Sequence, residues 1–306
     1  IGLVYDDKGD NDTALEYLDK AMKIDERVLG ENHPALATTY CNIGNAYDNR
    51  GDDDTALEYL DKAMKIDERV LGENHPDLAV TYCNIGGVYY DKGDYDTALQ
   101  YYDKAMKIQE RVLGENHPDL AITYNNIGTV YNSKGDYDTA LQYYDKAMKI
   151  RERVLGENHP ALAITYSNIG EVYDSKSDYD SALQNYDKAR KIRERGLGEN
   201  HPDLAVTYCN IGGVYYDKGD YDAALQYYDK ARKIYENVLD ENHPYLATIY
   251  NNIGVAYNNK GDYIEALKYL NMALRIYESK FGAEDKRTLK AKERIETVKQ
   301  KMKEQK

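Results

Sequence analysis

The sequence predicts an all-α array of antiparallel helix pairs stacked in tandem and closed by a capping helix, and three observations carry that expectation. All six histidines and all six prolines stand in one dipeptide, His-Pro, which recurs every 42 residues from His33-Pro34 to His243-Pro244. Between these markers nothing alternates with period two, whereas apolar residues recur at spacings of three and four, as one face of a helix requires. A fixed period of this length also marks supersecondary units that bury their apolar faces only against their neighbours. Such an array leaves long side-chain-lined faces for other molecules.

Residues 118–159 stand for the unit. Pro118 supplies the fixed φ favoured at a first helical position, and His117 falls at or beside the N-cap. The first helix then runs to about Lys134 and stops at Gly135, a residue suited to a left-handed terminator. Asp136 and Asp138 offer N-caps and negative charge to the start of the second helix. That helix carries Ala140, Tyr144, Ala147, Ile150 and Val154, spaced 4, 3, 3 and 4, and ends at Gly156. By the same register, residues 1–33 are a unit missing the start of its first helix, and natural sequence is expected before Ile1. Six complete units follow at 34–75, 76–117, 118–159, 160–201, 202–243 and 244–285. Asp285-Lys286 then replaces His-Pro, and residues 286–306 are expected to cap the array, with Leu289, Ile295, Val298 and Met302 turned towards it and lysines outward.

The turn Gly135-Asp136-Tyr137, the Ile127-Gly128-x-x-Tyr131 of the first helix and the two alanines Ala140 and Ala147 resemble the tetratricopeptide repeat, whose usual period is 34 residues. The eight extra residues fall in 149–160, which prolongs the second helix and its exit loop. That variant is similar to the repeats of kinesin light chains and nephrocystin-type proteins. The resemblance covers residues 1–285 and implies a right-handed superhelical solenoid with first helices lining a concave groove. It further implies a non-enzymatic scaffold that takes an extended peptide or partner protein in that groove.

Composition narrows the partners. The net charge is −14, yet residues 286–306 carry nine Lys/Arg against three Asp/Glu, so the first 285 residues carry −20. An acidic body argues against nucleic acid, which requires neutralised phosphates. No apolar run approaches the ~20 residues of a membrane helix. Cys41, Cys83 and Cys209 share one repeat position, and neighbouring copies of a two-helix unit stand too far apart for a disulfide. Free thiols favour a reducing compartment, hence a cytoplasmic location.

Comparison of the copies separates two stripes on the first helix. Leu36, Tyr40, Ile43 and Tyr47 repeat without change in all six complete units, as packing residues should. A second stripe drifts: Cys41, Asn45, Asp48 in one copy; Asn125, Thr129, Asn132 in another; then Ser167, Glu171, Asp174 and Asn251, Val255, Asn258. Positions that drift beside a fixed core are expected to face solvent, which makes this stripe the candidate ligand surface, with Tyr90 and Tyr216 as contact anchors. Beside it an asparagine precedes every Ile-Gly: Asn42, Asn84, Asn126, Asn168, Asn210 and Asn252. An amide both donates and accepts, so a row of them can hold a peptide backbone without reading its sequence, as the resemblance to kinesin light chains and the O-GlcNAc transferase repeat domain implies. The bland alternative is that each bonds locally or to water. Asp48, Asp91, Glu171, Asp174 and Asp217 lie along the surface and no Lys or Arg does, so a neutral or basic ligand is expected rather than an acidic one.

No chemistry competes with this reading. Histidines one repeat apart cannot share a zinc ion, whose ligands lie within about 4 Å of each other, so helix entry is their expected role. There is no phosphate-binding loop and no nucleophile elbow, and neither a catalytic residue nor a cofactor is expected. The 33 tyrosines, with one phenylalanine and no tryptophan, fall mostly at repeat-core positions such as Tyr124, Tyr131 and Tyr144. The alternatives are a regulatory or sensor arm of a larger protein, for example one bearing an ATPase, and an array that self-associates through its open ends.

Overall fold

The computed structural model describes residues 11–304, and these contain fourteen α-helices and no strand. The opening residues of the truncated unit 1–33 lie outside them. The chain divides into two compact units, Ile1–Val154 and Leu155–Lys306. In the first, α1 (Asn11–Leu29) is followed by the pairs α2 (Pro34–Asn49) and α3 (Asp53–Val70), α4 (Pro76–Asp91) and α5 (Tyr95–Val112), and α6 (Pro118–Ser133) and α7 (Tyr137–Leu155). In the second, α8 (Pro160–Ser175) pairs with α9 (Tyr179–Leu197), α10 (Pro202–Asp217) with α11 (Tyr221–Val238), and α12 (Pro244–Lys260) with α13 (Tyr263–Phe281), before α14 (Lys286–Glu304). Within each unit a second helix packs on its own first helix and on any first helix that follows it there, and the first helices α2 and α4, α4 and α6, and α8 and α10 touch directly.

Local chemistry sets the boundaries. At all six entries histidine is the N-cap in extended backbone, and its Nδ1 accepts the N–H two residues on at 3.1–3.2 Å. The proton must therefore sit on Nε2. Aspartates 52, 94, 136, 178, 220 and 262 cap the second helices, each Oδ1 accepting the N–H three residues on at 3.0–3.3 Å. Gly135 takes the left-handed turn at φ +77°; Ser177 takes the same position at φ +59° and, among the described residues, is the one non-glycine with positive φ.

The core sits in the seams. Leu36, Leu78 and Leu120, and in the second unit Leu162, Leu204 and Leu246, are buried under the alanines of the second helices. Close approach there demands glycine: a Cβ on Gly128 would lie 2.7 Å from the ring of Tyr144. The capping helix departs from expectation. Ile295 and Val298 are buried, but Leu289 is 47% exposed and Met302 half-buried, while Thr288 and Ala291 take the inward positions. The reason is register. α14 sits where a seventh first helix would, with Asp285 in place of the capping histidine and its Oδ1 accepting the Arg287 N–H at 2.9 Å. Leu289 thus takes the position of Ala247, the face that α14's own second helix would cover. Lys292, Glu296 and Lys299 stand where Tyr250, Gly254 and Tyr257 receive α13, so the stacking face ends in charge.

Candidate functional site

The invariant stripe packs as expected, with one refinement. Its leucine and isoleucine are buried, whereas the first tyrosine is anchored at its hydroxyl by the preceding second helix. Tyr40, Tyr82 and Tyr124 donate to Glu26, Glu68 and Glu110, and Tyr208 and Tyr250 to Glu194 and Glu236, at 2.8–3.0 Å. Burial, then the neighbouring carboxylate, pushes these phenols up, to about 12 at Tyr40. The second tyrosine stacks on the following helix, as Tyr131 does on Tyr143 at 5.8 Å and Tyr215 on Tyr227 at 5.5 Å.

The drifting stripe is two surfaces, and its first position does not face solvent. Cys41 is buried, as are Asn125 (7% exposed) and Asn251 (9% exposed), because this position lies in the seam between repeats. There it meets a residue 26 positions on, in the second helix, and, for Cys41 and Cys83, a threonine 40 positions on, in the next first helix. Cys41 Sγ lies 3.3 Å from Thr81 Oγ1, which donates to Asp67 at 2.9 Å. Cys83 lies 3.2 Å from Thr123, which donates to Gln109 at 2.7 Å. Arg151 donates to Asn125 Oδ1 at 3.5 Å. In the second unit Arg193 donates to Ser167 and Thr207 at 3.0 and 2.6 Å. Drift at this position therefore falls within a buried polar layer, and Asp67, Gln109, Arg151 and Arg193 are members that the first helices alone do not reveal. Their signal was available, since position 67 drifts between fixed neighbours, Ile66 and Glu68. Burial pushes the Cys41 and Cys83 thiols up to about 11 and Cys209 to about 12, which makes them poor nucleophiles at neutral pH.

The rest of the stripe is open. Asn42, Asn84 and Asn126 in the first unit, and Asn168, Asn210 and Asn252 in the second, are all half-buried on the first helices. Asn252 Oδ1 accepts from Asn251 at 3.4 Å, whereas Asn42, Asn84, Asn126 and Asn210 make no side-chain hydrogen bond among the described residues. Near the helix ends the stripe ties consecutive first helices: Tyr90 Oη lies 3.0 Å from Ser133 Oγ, and Asn259 donates to Tyr216 Oη at 2.6 Å. Both tyrosines are half-buried by this contact and by a tilted partner ring, Tyr95 and Tyr221, at 5.7 and 5.6 Å. Where the tie would join two acids it fails. Asp48 Oδ1 and Asp174 Oδ1 are buried without a hydrogen-bond partner, and both carboxyls are pushed up to about 6, by burial first and then by Asp91 and Asp53 or by Asp217 and Glu171. Glu171, Asp91 and Asp217 are exposed. At the C-terminal end the stripe meets cations: Arg294 and Lys301 of α14 donate to Asn251 and Asn258 at 2.5 and 3.3 Å.

Helix pairs of this length, capping and seam chemistry define a helical-repeat scaffold. The tetratricopeptide repeat profile matches residues 1–69, 49–110, 77–152, 119–195, 168–237 and 203–279, and the chain belongs to that family. Among solved structures it is similar to BtubC (BKLC) from P. vanneervenii, with 25% identity over 73% of this chain and 90% of that one and a TM-score of 0.63. It shares its fold with a kinesin light chain-type protein of nearly identical TPR-like repeats from Podosopora anserina, at 18% identity, 68% and 98% coverage and a TM-score of 0.58. The same holds for a chain of the APC/C hetero-tetramer Cut9-Hcn1, at 18% identity, 94% and 48% coverage and a TM-score of 0.63. No curated protein matches the chain significantly. Tetratricopeptide repeats are generally non-catalytic scaffolds for protein–protein interaction. No helix among the described residues is long and apolar enough to cross a membrane.

Proposed function

We propose that each unit holds an extended peptide segment along its first helices, with the asparagine row gripping the backbone and the acidic stripe selecting a neutral or basic sequence. The observation that carries this reading is the half-buried amides of Asn42, Asn84 and Asn126, which make no side-chain hydrogen bond among the described residues and stand at one position of the consecutive touching helices α2, α4 and α6. A side chain kept for structure would be expected to bond within the fold, as the seam residues do. The charge preference rests on Asp48, Asp91, Glu171, Asp174 and Asp217, and on α14, whose Arg294 and Lys301 already donate to stripe amides. Stacking through the C-terminal end is disfavoured, because Lys292, Glu296 and Lys299 replace the residues that would receive a further helix.

The test begins with peptides selected from a random display library on the intact chain. Replacing Asn42, Asn84 and Asn126 with alanine is expected to weaken a peptide held by the first unit at least tenfold, since each lost hydrogen bond is worth about 0.5–1.5 kcal/mol. Helicity should not change. Unchanged affinity would make the asparagines bystanders and move the binding face elsewhere.

A further inference from the structure

Four second helices carry a tyrosine at the position facing the glycine of Ile-Gly: Tyr102, Tyr144, Tyr186 and Tyr228. Each ring is buried against its own first helix. Tyr102 shares a packed cluster with Val130, Tyr186 shares one with Val214, and Tyr144 Oη donates to Thr129 at 3.1 Å. In α13 the position is Leu270, packed on Gly254 as the tyrosines pack on their glycines, and it is shorter by a ring edge and a hydroxyl. A pocket of about 250 Å³ lies between α12, α13 and α14, walled by Val255, Leu270 and Val298. By register Val255 is the counterpart of Thr129, and Val298 that of Val130 and Val214. The pocket thus lies beside the register positions against which the phenols of other units pack.

We propose that this pocket binds a phenol-sized aromatic ring. An apolar cavity of about 150 Å³ suffices for benzene, so the volume admits a ring with a substituent. Leu270 and Val298 form a dry base, being 1% and 2% exposed. Lys290, Glu293 and Arg294 line the mouth, and the two cations favour an electron-rich ring carrying a hydroxyl. Leu60 makes the same exchange in the first complete unit, but the counterpart of Val255 there is Asn45, and a polar wall suits water better than a ring. The inference is independent of the peptide reading, since it rests on the packing of α12–α14.

The experiment is a titration of the isotope-labelled chain with p-cresol, the tyrosine side chain as a free molecule, watched at the methyl resonances of Val255, Leu270 and Val298. Saturable shifts at these three residues are expected. Leu270→Tyr restores the residue of four other units, and it should fill the pocket and weaken p-cresol at least tenfold. Val255→Phe fills it from the other wall and serves if the first variant does not fold. N-acetyltyrosinamide separates the sources: tighter binding than p-cresol means that the occupant is a side chain of a peptide, and weaker binding means a free phenolic molecule. No saturable shift with either probe, or equal binding to the filled variants, overturns the proposal.

Discussion

Single residues do more than one kind of work here, and only part of it was legible in the sequence. The histidines were readable because His-Pro places a capping acceptor beside a preorganised first helical residue. His117→Ala should cost about 0.5–2 kcal/mol and His117→Asn far less, measured by denaturant unfolding. The buried polar layer was not readable from the first helices, since drift at Cys41, Cys83 and Asn125 looks like solvent exposure until the partner positions at Asp67, Gln109 and Arg151 are read with it. The unpaired acids give a pH dependence. With Asp48 and Asp174 near 6 in the folded chain against about 3.9 unfolded, the folded state binds more protons between these values. Their contribution to stability is therefore gained as pH falls through about 6 and lost as it rises. Asp48→Asn with Asp174→Asn should raise Tm at pH 7.5, and the advantage over the wild type should shrink towards pH 4. An advantage independent of pH would contradict the assignment.

At the scale of elements, pairing and caps followed from the pattern, but the orientation of α14 did not. Its apolar residues fit two faces, and the repeat register decides between them, placing Thr288, Ala291, Ile295 and Val298 inward and leaving Leu289 exposed. The element expected to be weakest is the α8–α9 hairpin. Ser177 holds a left-handed turn that costs a non-glycine about 1–2 kcal/mol, and Gly196 lies inside α9 where alanine would gain up to about 1 kcal/mol. A Cβ at Gly196 would come no closer than 3.9 Å to the Pro160 ring, so the space is there. Amide exchange across 177–198 should be faster than across 93–114, and Ser177→Gly with Gly196→Ala should bring the two level. Equal protection in the unmodified chain would remove this weak point.

For the molecule as a whole, the period made the fold class readable because each repeat answers only to its neighbours. The same locality governs failure. Ala147 is fully buried, so Ala147→Phe should cost about 1–3 kcal/mol where it sits and spread the melt into more than one step; a single sharp transition would mean stronger coupling between repeats. The candidate site was legible as a row but not in depth: the asparagines are half-open as the pattern suggests, whereas the position beside them is seam. The central claim is that this row grips a backbone. It is tested most directly by following the side-chain amide resonances of Asn42, Asn84 and Asn126 while a selected peptide is titrated in. They should shift together, saturate at the peptide's own Kd, and exchange their amide protons more slowly in the complex. Resonances that stay still while the peptide binds would contradict the account.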